Sequence, residues 1–318
     1  MIVVTGGAGF IGSNLVWELN KRGHGDLLVV DNLVDARKYR NLVGAEIADY
    51  VDKEDFLAQI EDRPGWLGEV EAVFHQGACT STTETDGRYM MKNNYEYSKA
   101  ILDLCLERQV PLIYASSAAV YGAGTVFGEE PTNEGPLNVY GFSKLLFDHH
   151  VRRVMGTAGS QIVGLRYFNV YGPREAHKGP MASMVLQLDD QLAATGKARL
   201  FGPTEGYEAG EQRRDFIYVG DVVDVNLWFF DHPDQSGIFN CGTGASRTFN
   251  DLANEVVRFC GEGEIEYIPF PESLQGRYQS YTEADMSTLR AAGYEAEPTP
   301  LEKGIPEYLA WRREQIDE

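Results

Sequence analysis

The sequence is short of cysteine, of positive charge and of long apolar runs. Its four cysteines, Cys79, Cys105, Cys241 and Cys260, lie far apart. No Cys-x-x-Cys pair and no histidine cluster at metal-ligand spacing accompanies them, which argues against a disulfide framework or a zinc site. Reduced thiols and no metal are expected. No segment approaches the roughly 20 apolar residues that a bilayer-spanning helix needs. Met1 runs directly into Ile2-Val3-Val4 without the basic flank, apolar stretch and small-residue cleavage site of a secretory leader, so a cytoplasmic location is expected. Against 28 Lys and Arg stand 48 Asp and Glu, a formal charge of -20. That field repels polyanions, so neither nucleic acid nor an anionic membrane is expected as a partner, and an anionic small molecule requires a local basic pocket. There is no internal repeat or low-complexity tract, and only the acidic end Glu314 to Glu318 is expected to fray.

What is present is an ordinary globular composition, 43% hydrophobic and 24% charged over 318 residues, enough for one large domain or two modest ones. Short apolar runs at Ile2-Thr5, Leu27-Val30, Ala72-His75, Leu112-Ala115 and Ile162-Leu165 alternate with segments of helical period, the rhythm of a parallel sheet with crossover helices. Between the first two runs, Ile11, Leu15, Val16 and Leu19 recur at helical spacing before a stop at Gly23-His24-Gly25. From about Tyr171, Gly172-Pro173, Gly179-Pro180 and Gly202-Pro203 break the alternation. The expected fold is therefore α/β, a Rossmann-type doubly wound parallel sheet with a smaller, interleaved α/β substrate domain. Residues 1–170 with 217–241 and about 290–310 are assigned to the dinucleotide-binding domain, and 171–216 with 242–289 to the substrate domain.

Thr5-Gly6-Gly7-Ala8-Gly9-Phe10-Ile11-Gly12 follows the first strand and opens the first helix, giving Gly6, Gly9 and Gly12 the spacing Gly-x-x-Gly-x-x-Gly. Such a loop lets backbone amides at a helix amino terminus approach a pyrophosphate. The alternative is a turn with no ligand, but the carboxylate of Asp31, about 20 residues beyond the loop, favours a dinucleotide. Asp31 suits the ribose 2′-hydroxyl of NAD, whereas Arg37, Lys38 and Lys53 nearby suit the 2′-phosphate of NADP. Both cofactors stay open on the residues alone.

Tyr140-Gly141-Phe142-Ser143-Lys144 places a phenol and an ammonium at i and i+4, on one face of a helix. An ammonium there is expected to lower the phenol pKa, so that Tyr140 takes a proton from a hydroxyl as hydride leaves its carbon. Ser117, in Ser116-Ser117-Ala118-Ala119-Val120-Tyr121-Gly122, is the candidate that holds the reacting oxygen. On an isolated helix the same spacing means a core tyrosine and a surface lysine. The glycine loop, Ser117 and the Tyr-x-x-x-Lys helix in this order favour the chemistry.

Together with Arg166-Tyr167-Phe168-Asn169-Val170-Tyr171-Gly172-Pro173-Arg174 and Arg214-Asp215-Phe216-Ile217-Tyr218-Val219-Gly220-Asp221-Val222, these motifs resemble the extended short-chain dehydrogenase/reductase family over most of the chain. A narrower resemblance, to the ADP-L-glycero-D-manno-heptose 6-epimerase family, lies in Asp31-Asn32-Leu33, Gln76-Gly77-Ala78-Cys79-Thr80-Ser81-Thr82-Thr83-Glu84, Glu175-Ala176-His177-Lys178-Gly179, Tyr267-Ile268-Pro269-Phe270-Pro271 and Gly276-Arg277-Tyr278-Gln279. It implies an NADP-dependent isomerase that epimerises an ADP-heptose at C6 by transient oxidation, for lipopolysaccharide inner-core synthesis, and that forms a homo-oligomer, typically a pentamer. It implies Tyr140 and Lys178 as two proton-transfer groups, with Lys144 tuning Tyr140 and holding the nicotinamide ribose. Cofactor contacts are implied for Gly6, Gly9, Phe10, Ile11, Gly12, Asp31, Asn32, Lys38, Lys53, Gln76, Gly77, Ala78, Cys79, Thr80, Asn93, Lys144, Val170 and Lys178. Substrate contacts are implied for Ser117, Asn169, Pro180, Met181 to Gln187, Phe201, Gly202, Pro203, Thr204, Arg214 and Tyr278. Arg214 is also favoured independently, because a planar guanidinium grips a diphosphate in a forked geometry. Its alternative is a structural pair with Asp215 or Asp221.

The chain departs from that family at Pro180, where small polar residues are common, at Gln187, where histidine is frequent, and at Tyr207 to Gln212, which reads as an insertion and a mobile lid edge. Two other functions remain in view. A nucleotide-sugar 4-epimerase or 4,6-dehydratase shares the redox residues, although the acid/base pair of a dehydratase is missing near Ser117 to Gly124. A non-catalytic NADP sensor would not require the proton relay.

Overall fold

The computed structural model describes residues 1–62, 65, 68–272 and 278–316; Gly276, Arg277 and the last two residues of the acidic end lie outside them. Seven strands form one sheet in the spatial order Gly237–Cys241, Ile162–Tyr167, Leu112–Ser117, Ala72–His75, Ile2–Thr5, Leu27–Asp31, Asp49–Asp52. All the pairings are parallel. Side chains alternate across the pleat, and both faces are filled. Ile2, Val4, Val29 and Phe74 meet Leu15, Leu19, Val222 and Phe229 on one side, while Val3, Leu28 and Val73 meet Phe56, Ile101, Leu102 and Phe147 on the other. The edge strand Asp49–Asp52 was not among the runs read from the sequence, because only Val51 of its four residues is buried.

The strand order reverses at Ile2–Thr5, whose neighbours Leu27–Asp31 and Ala72–His75 are reached in opposite directions. A crevice opens at the carboxyl ends of such strands, between Thr5 and its register partner His75.

A second layer builds a core of its own. Helices Met184–Thr195, Phe249–Cys260 and Leu301–Ile316 share a core of Leu188, Leu200, Leu252, Val256, Ile305 and Leu309. The stretch 290–310, assigned above to the sheet, divides between the layers. Leu289 and Tyr294 pack with the sheet, but Leu301, Ile305 and Leu309 pack with the second core. Asp221 accepts hydrogen bonds from Thr299 N and Oγ1, both 2.8 Å, and so pins the extended Pro298-Thr299-Pro300 where the chain passes between them.

The segment Tyr207 to Gln212 is not a loose lid edge. Thr204 and Tyr207 exchange backbone hydrogen bonds of 3.1 and 2.9 Å around Glu205 and Gly206, at φ 52° and 84°, a turn of the hairpin type. Gly210 N then donates to Phe201 O, Asn250 N donates to Gly210 O, and Gln212 is buried. Among the described residues no helix is long and apolar enough to cross a membrane, and all four cysteines are free thiols.

Helix Val139–Met155 and strand Ile162–Tyr167 share a buried ionic cluster. Arg166, fully buried, pairs with Glu134 and, at 3.0 Å, with Asp148; Arg152 also holds Glu134, at 2.7 Å. Burial pushes the Glu134 carboxyl up, but hydrogen bonds from Arg152 and Arg166 outweigh it and leave its pKa at about 2. Because this value lies below the ordinary 4.5, the stabilisation is complete above pH 4.5 and is lost as pH falls toward 2. Glu134→Gln is expected to flatten the decline in unfolding free energy across that window in denaturant titrations; a decline as steep as in the parent chain would contradict it.

Candidate active site

Helix Phe10–Lys21 begins at Gly9, which is extended and offers no side-chain cap, so its first-turn amides are available to an anion. Gly6 sits at φ +67°, and a Cβ there would lie 2.6 Å from Gly77 Cα; a Cβ on Gly12 would lie 2.2 Å from Gly6 O. The loop is thus folded onto Gln76-Gly77 with room for backbone only. It borders a groove of about 670 Å³ lined by Gly6, Gly9, Phe10, Ile11, Gly12, Asp31, Asn32, Lys38, Lys53, Gln76, Gly77, Ala78, Cys79, Thr80, Asn93 and Lys178. Lys144 and Val170, also expected at the cofactor, stand elsewhere. Backbone amides at one end and two lysines at the other fit a dinucleotide.

At the lysine end, Asp31 accepts hydrogen bonds from Ala8 N at 2.9 Å and Asn32 N at 2.7 Å, and pairs with Lys38 Nζ at 2.5 Å. Lys53 Nζ donates to Asn93 Oδ1 at 2.5 Å. Tyr89, Tyr97 and His177 line the groove too, and the sequence reading missed them. The Tyr97 hydroxyl is buried without a hydrogen-bond partner among the described residues. Burial and the neighbouring Lys38 and Lys178 bring His177 down to about 4. A single π-helical turn, Lys92–Glu96, links helices Gly87–Met91 and Tyr97–Arg108. Asn94, buried in that turn, accepts from Cys79 N at 2.8 Å and donates to Cys79 O at 2.9 Å and Ser143 Oγ at 3.1 Å. Helical periodicity gives no cue to such an extra residue.

Ser117 ends strand Leu112–Ser117, and Tyr140 lies in the first turn of helix Val139–Met155, which Asn138 caps by accepting from Gly141 N at 2.9 Å. The Ser117 hydroxyl is close enough to the Tyr140 phenol to ease its pKa. Lys144, one turn on and buried, donates to Ala115 O at 2.8 Å. Burial raises the Tyr140 phenol, with Ser117 easing it. The lowering by Lys144 expected from the sequence is not resolved at the phenol, whose pKa burial governs. Burial draws Lys144 itself down to about 8. Cys79 links these three residues to the groove, because it lines the groove and acts electrostatically on both Tyr140 and Lys144.

A second cavity, of about 380 Å³, is lined by Asn169, Val170, Lys178, Phe201, Arg214, Phe249 and Tyr278 among others. Val170 therefore faces this cavity rather than the dinucleotide groove; strand Asn169–Tyr171 pairs with Phe216–Tyr218 beneath it. Gly202, Pro203 and Thr204 continue past Phe201 into the hairpin, outside the lining. Gln187 also stands outside it: its Nε2 donates to Ala182 O at 2.8 Å and Pro180 O at 3.3 Å, bracing the lysine loop. Pro180 is exposed. Phe249 was missed; it opens a helix whose capping box, Thr248 with Asp251, is legible in sequence but says nothing of the ring's direction.

Arg214 is buried at 5% exposure. Its guanidinium lies 4.8 Å from the Tyr278 ring centre and 5.8 Å from that of Phe249, and donates to Arg213 O at 3.0 Å. It does not pair with Asp215 or Asp221: Asp215 accepts from Thr243, Gly244 and Ala284, and Asp221 from Thr299. Lys178 and Met181 line both cavities. Lys178 Nζ lies 5.2 Å from the Phe10 ring centre; burial lowers its pKa and Glu175 opposes the fall.

The sequence profile of the NAD-dependent epimerase/dehydratase family matches residues 2–242. The ADP-L-glycero-D-manno-heptose-6-epimerase of Alkalilimnicola ehrlichii is 60% identical over 309 residues, 97% of this chain and 96% of the relative. The crystal structure of the enzyme of that name from Helicobacter pylori superposes with a TM-score of 0.83 at 33% identity, covering 98% of this chain and 96% of the other. A UDP-N-acetylglucosamine 4-epimerase from Methanobrevibacter ruminantium, in complex with UDP-N-acetylmuramic acid, does so at 0.84 and 25% identity, covering 99% and 98%. The chain belongs to the NAD-dependent epimerase/dehydratase family, and its kinship within that family lies with the ADP-L-glycero-D-manno-heptose-6-epimerases.

Proposed function

We propose that this protein interconverts ADP-D-glycero- and ADP-L-glycero-D-manno-heptose by transient oxidation at C6, a step that supplies the lipopolysaccharide inner core. The observation that carries the reading is the junction at Lys178: one lysine lines both the dinucleotide groove and the cavity that holds Arg214. The nicotinamide, when bound, takes up hydride and returns it to the opposite face of the same carbon.

The residues do the rest. Ser117 holds the carbinol oxygen in one sugar orientation while Tyr140, whose phenol Ser117 eases, carries the proton. Turning the sugar presents that oxygen to a different wall, where Lys178 serves. A lysine whose pKa is lowered by burial accepts and returns a proton more readily near neutral pH than an exposed one. Arg214 grips the diphosphate, the anion best suited to a desolvated guanidinium with no carboxylate partner. We infer NADP rather than NAD, because Asp31 already accepts from Ala8 N and Lys38, leaving little capacity for a 2′-hydroxyl, while Lys38 and Lys53 line the same end of the groove.

The direct test is to identify the nucleotide released on denaturing the purified protein and to follow one ADP-heptose epimer into the other. NADP and interconversion are expected; nucleotide without turnover of either epimer would refute the function. Tyr140→Phe and Lys178→Met are each expected to lower kcat by about 100-fold or more while bound nucleotide is retained, and full activity in either would remove that residue from proton transfer. Arg214→Met is expected to raise KM by roughly 10- to 100-fold, the worth of a charge-assisted hydrogen bond; an unchanged KM would place the diphosphate elsewhere.

A further inference from the structure

We propose that Asp148 is a positioning residue for the proton relay, holding the strand that carries Ser117 in register against the helix that carries Tyr140 and Lys144. The inference rests on the function proposed above and concerns a residue outside both cavities. Asp148 is fully buried in helix Val139–Met155, one turn beyond Lys144. Its carboxylate accepts from Tyr114 Oη at 2.9 Å and from Ser116 Oγ at 3.0 Å. Between these two rungs Lys144 Nζ donates to Ala115 O at 2.8 Å, and beyond them Ser117 meets Tyr140. Three consecutive strand residues, Tyr114, Ala115 and Ser116, are thus fastened to one helix just before Ser117, and Asp148 makes two of the three ties. A one-residue slip would turn Tyr114 and Ser116 to the other face of the sheet.

Asp148 is also the anion nearest the relay along the helix. The groups facing Lys144 are Asp148 on its own helix, Cys79 from the loop after strand Ala72–His75, and His75 at that strand's end. Those facing Asp148 are Tyr114 and, from strand Ile162–Tyr167, Arg166, whose Nε donates at 3.0 Å. Arg166 is in turn held by Glu134 and Tyr121, so the buried carboxylate is compensated on the side away from Lys144. Asp148 and Cys79 both favour the ammonium form of Lys144 against its burial. Without the Asp148 charge, Lys144 loses its proton at lower pH and its ammonium is depleted near neutrality. A carboxylate that only completed a core ion pair with Arg166 would affect stability and leave the relay's titration in place.

The test compares the parent enzyme with Asp148→Asn, Ser116→Ala and Tyr114→Phe, measuring kcat and KM across pH and titrating lysines labelled with ¹³C at Cε by NMR. Asp148→Asn is expected to lower kcat by about tenfold or more with KM nearly unchanged, to move the alkaline limb of kcat to lower pH, and to lower the Lys144 midpoint below its value of about 8. Ser116→Ala and Tyr114→Phe, which keep the buried charge, are expected to lower kcat by about threefold each with the limb in place. A folded Asp148→Asn enzyme with an unmoved Lys144 midpoint overturns the electrostatic half. Parent-like kcat in both single-rung variants overturns the register half, and decides the matter if Asp148→Asn does not fold. If the parent turns over neither ADP-heptose, the proposed function fails, while the NMR midpoints still test Asp148.

Discussion

The proposed function depends on three cations, and among the described residues none of them has a counter-ion at ion-pair distance. Lys144 and Arg214 are buried and Lys178 is half-buried. Desolvating an unpaired cation costs several kcal/mol unless other groups compensate. Here the compensation is partial and differs for each: a main-chain carbonyl for Lys144, the face of Phe10 and the more distant Glu175 for Lys178, and two aromatic rings with one carbonyl for Arg214. What remains uncompensated is a standing preference for negative charge. The arrangement therefore favours a ligand that brings anionic oxygens to Arg214 and to the cavity junction at Lys178.

Keeping such groups in place demands rigidity, and the loop around Lys178 shows how it is achieved. Arg174 adopts φ 70°, a region uncommon for a side-chain-bearing residue. It is held there from several sides. Its guanidinium bonds to Asn14 Oδ1 at 2.9 Å and lies over Trp17, and its carbonyl accepts from Asn41. One residue on, the fully buried Glu175 accepts from Ser183 N and Oγ, both at 2.6 Å. Arg37 donates to His177 O at 3.2 Å, and Gln187 braces the carbonyls of Pro180 and Ala182. The lysine is thus positioned from the glycine-loop helix, from the segment beside Asp31 and from the second layer at once. This gives a physical meaning to its place at the junction of two cavities.

What was legible in the sequence was what is local. The glycine loop, the alternating strands and the Tyr140–Lys144 spacing each depend on a few adjacent residues and on fixed periods of helix and strand, so they survive without coordinates. Lys178 was legible only through resemblance, because a cation in a Gly-Pro loop reads as a solvated surface charge until the packing around Arg174 and Glu175 is known. At Gln187, Val170 and the helix after Pro300 the local pattern is silent: whether a side chain lines a cavity, braces a loop or joins the second core is decided by the packing around it. The π-helical turn at Asn94 is the extreme case: one additional residue, invisible to any period, delivers the side chain that ties Cys79 to Ser143.

The acidity of the chain belongs to the same argument. A formal charge of -20 repels the two anions of the proposed function, a dinucleotide and a nucleotide sugar, but long-range repulsion is screened within roughly 10 Å at ordinary ionic strength, whereas contacts offered by Arg214, Lys178 and the glycine-loop amides act at short range in a partly desolvated crevice. Carboxylates near the site are occupied by backbone donors or cations: Asp31 by Ala8 N and Lys38, Glu175 by Ser183, Asp215 by Thr243, Gly244 and Ala284, Asp148 by two hydroxyls and Arg166. None of them forms an ion pair with Lys144, Lys178 or Arg214 among the described residues. The negative charge of the protein and the positive character of its crevice are reconciled by hydrogen-bond assignment: these acids fasten loops and strands.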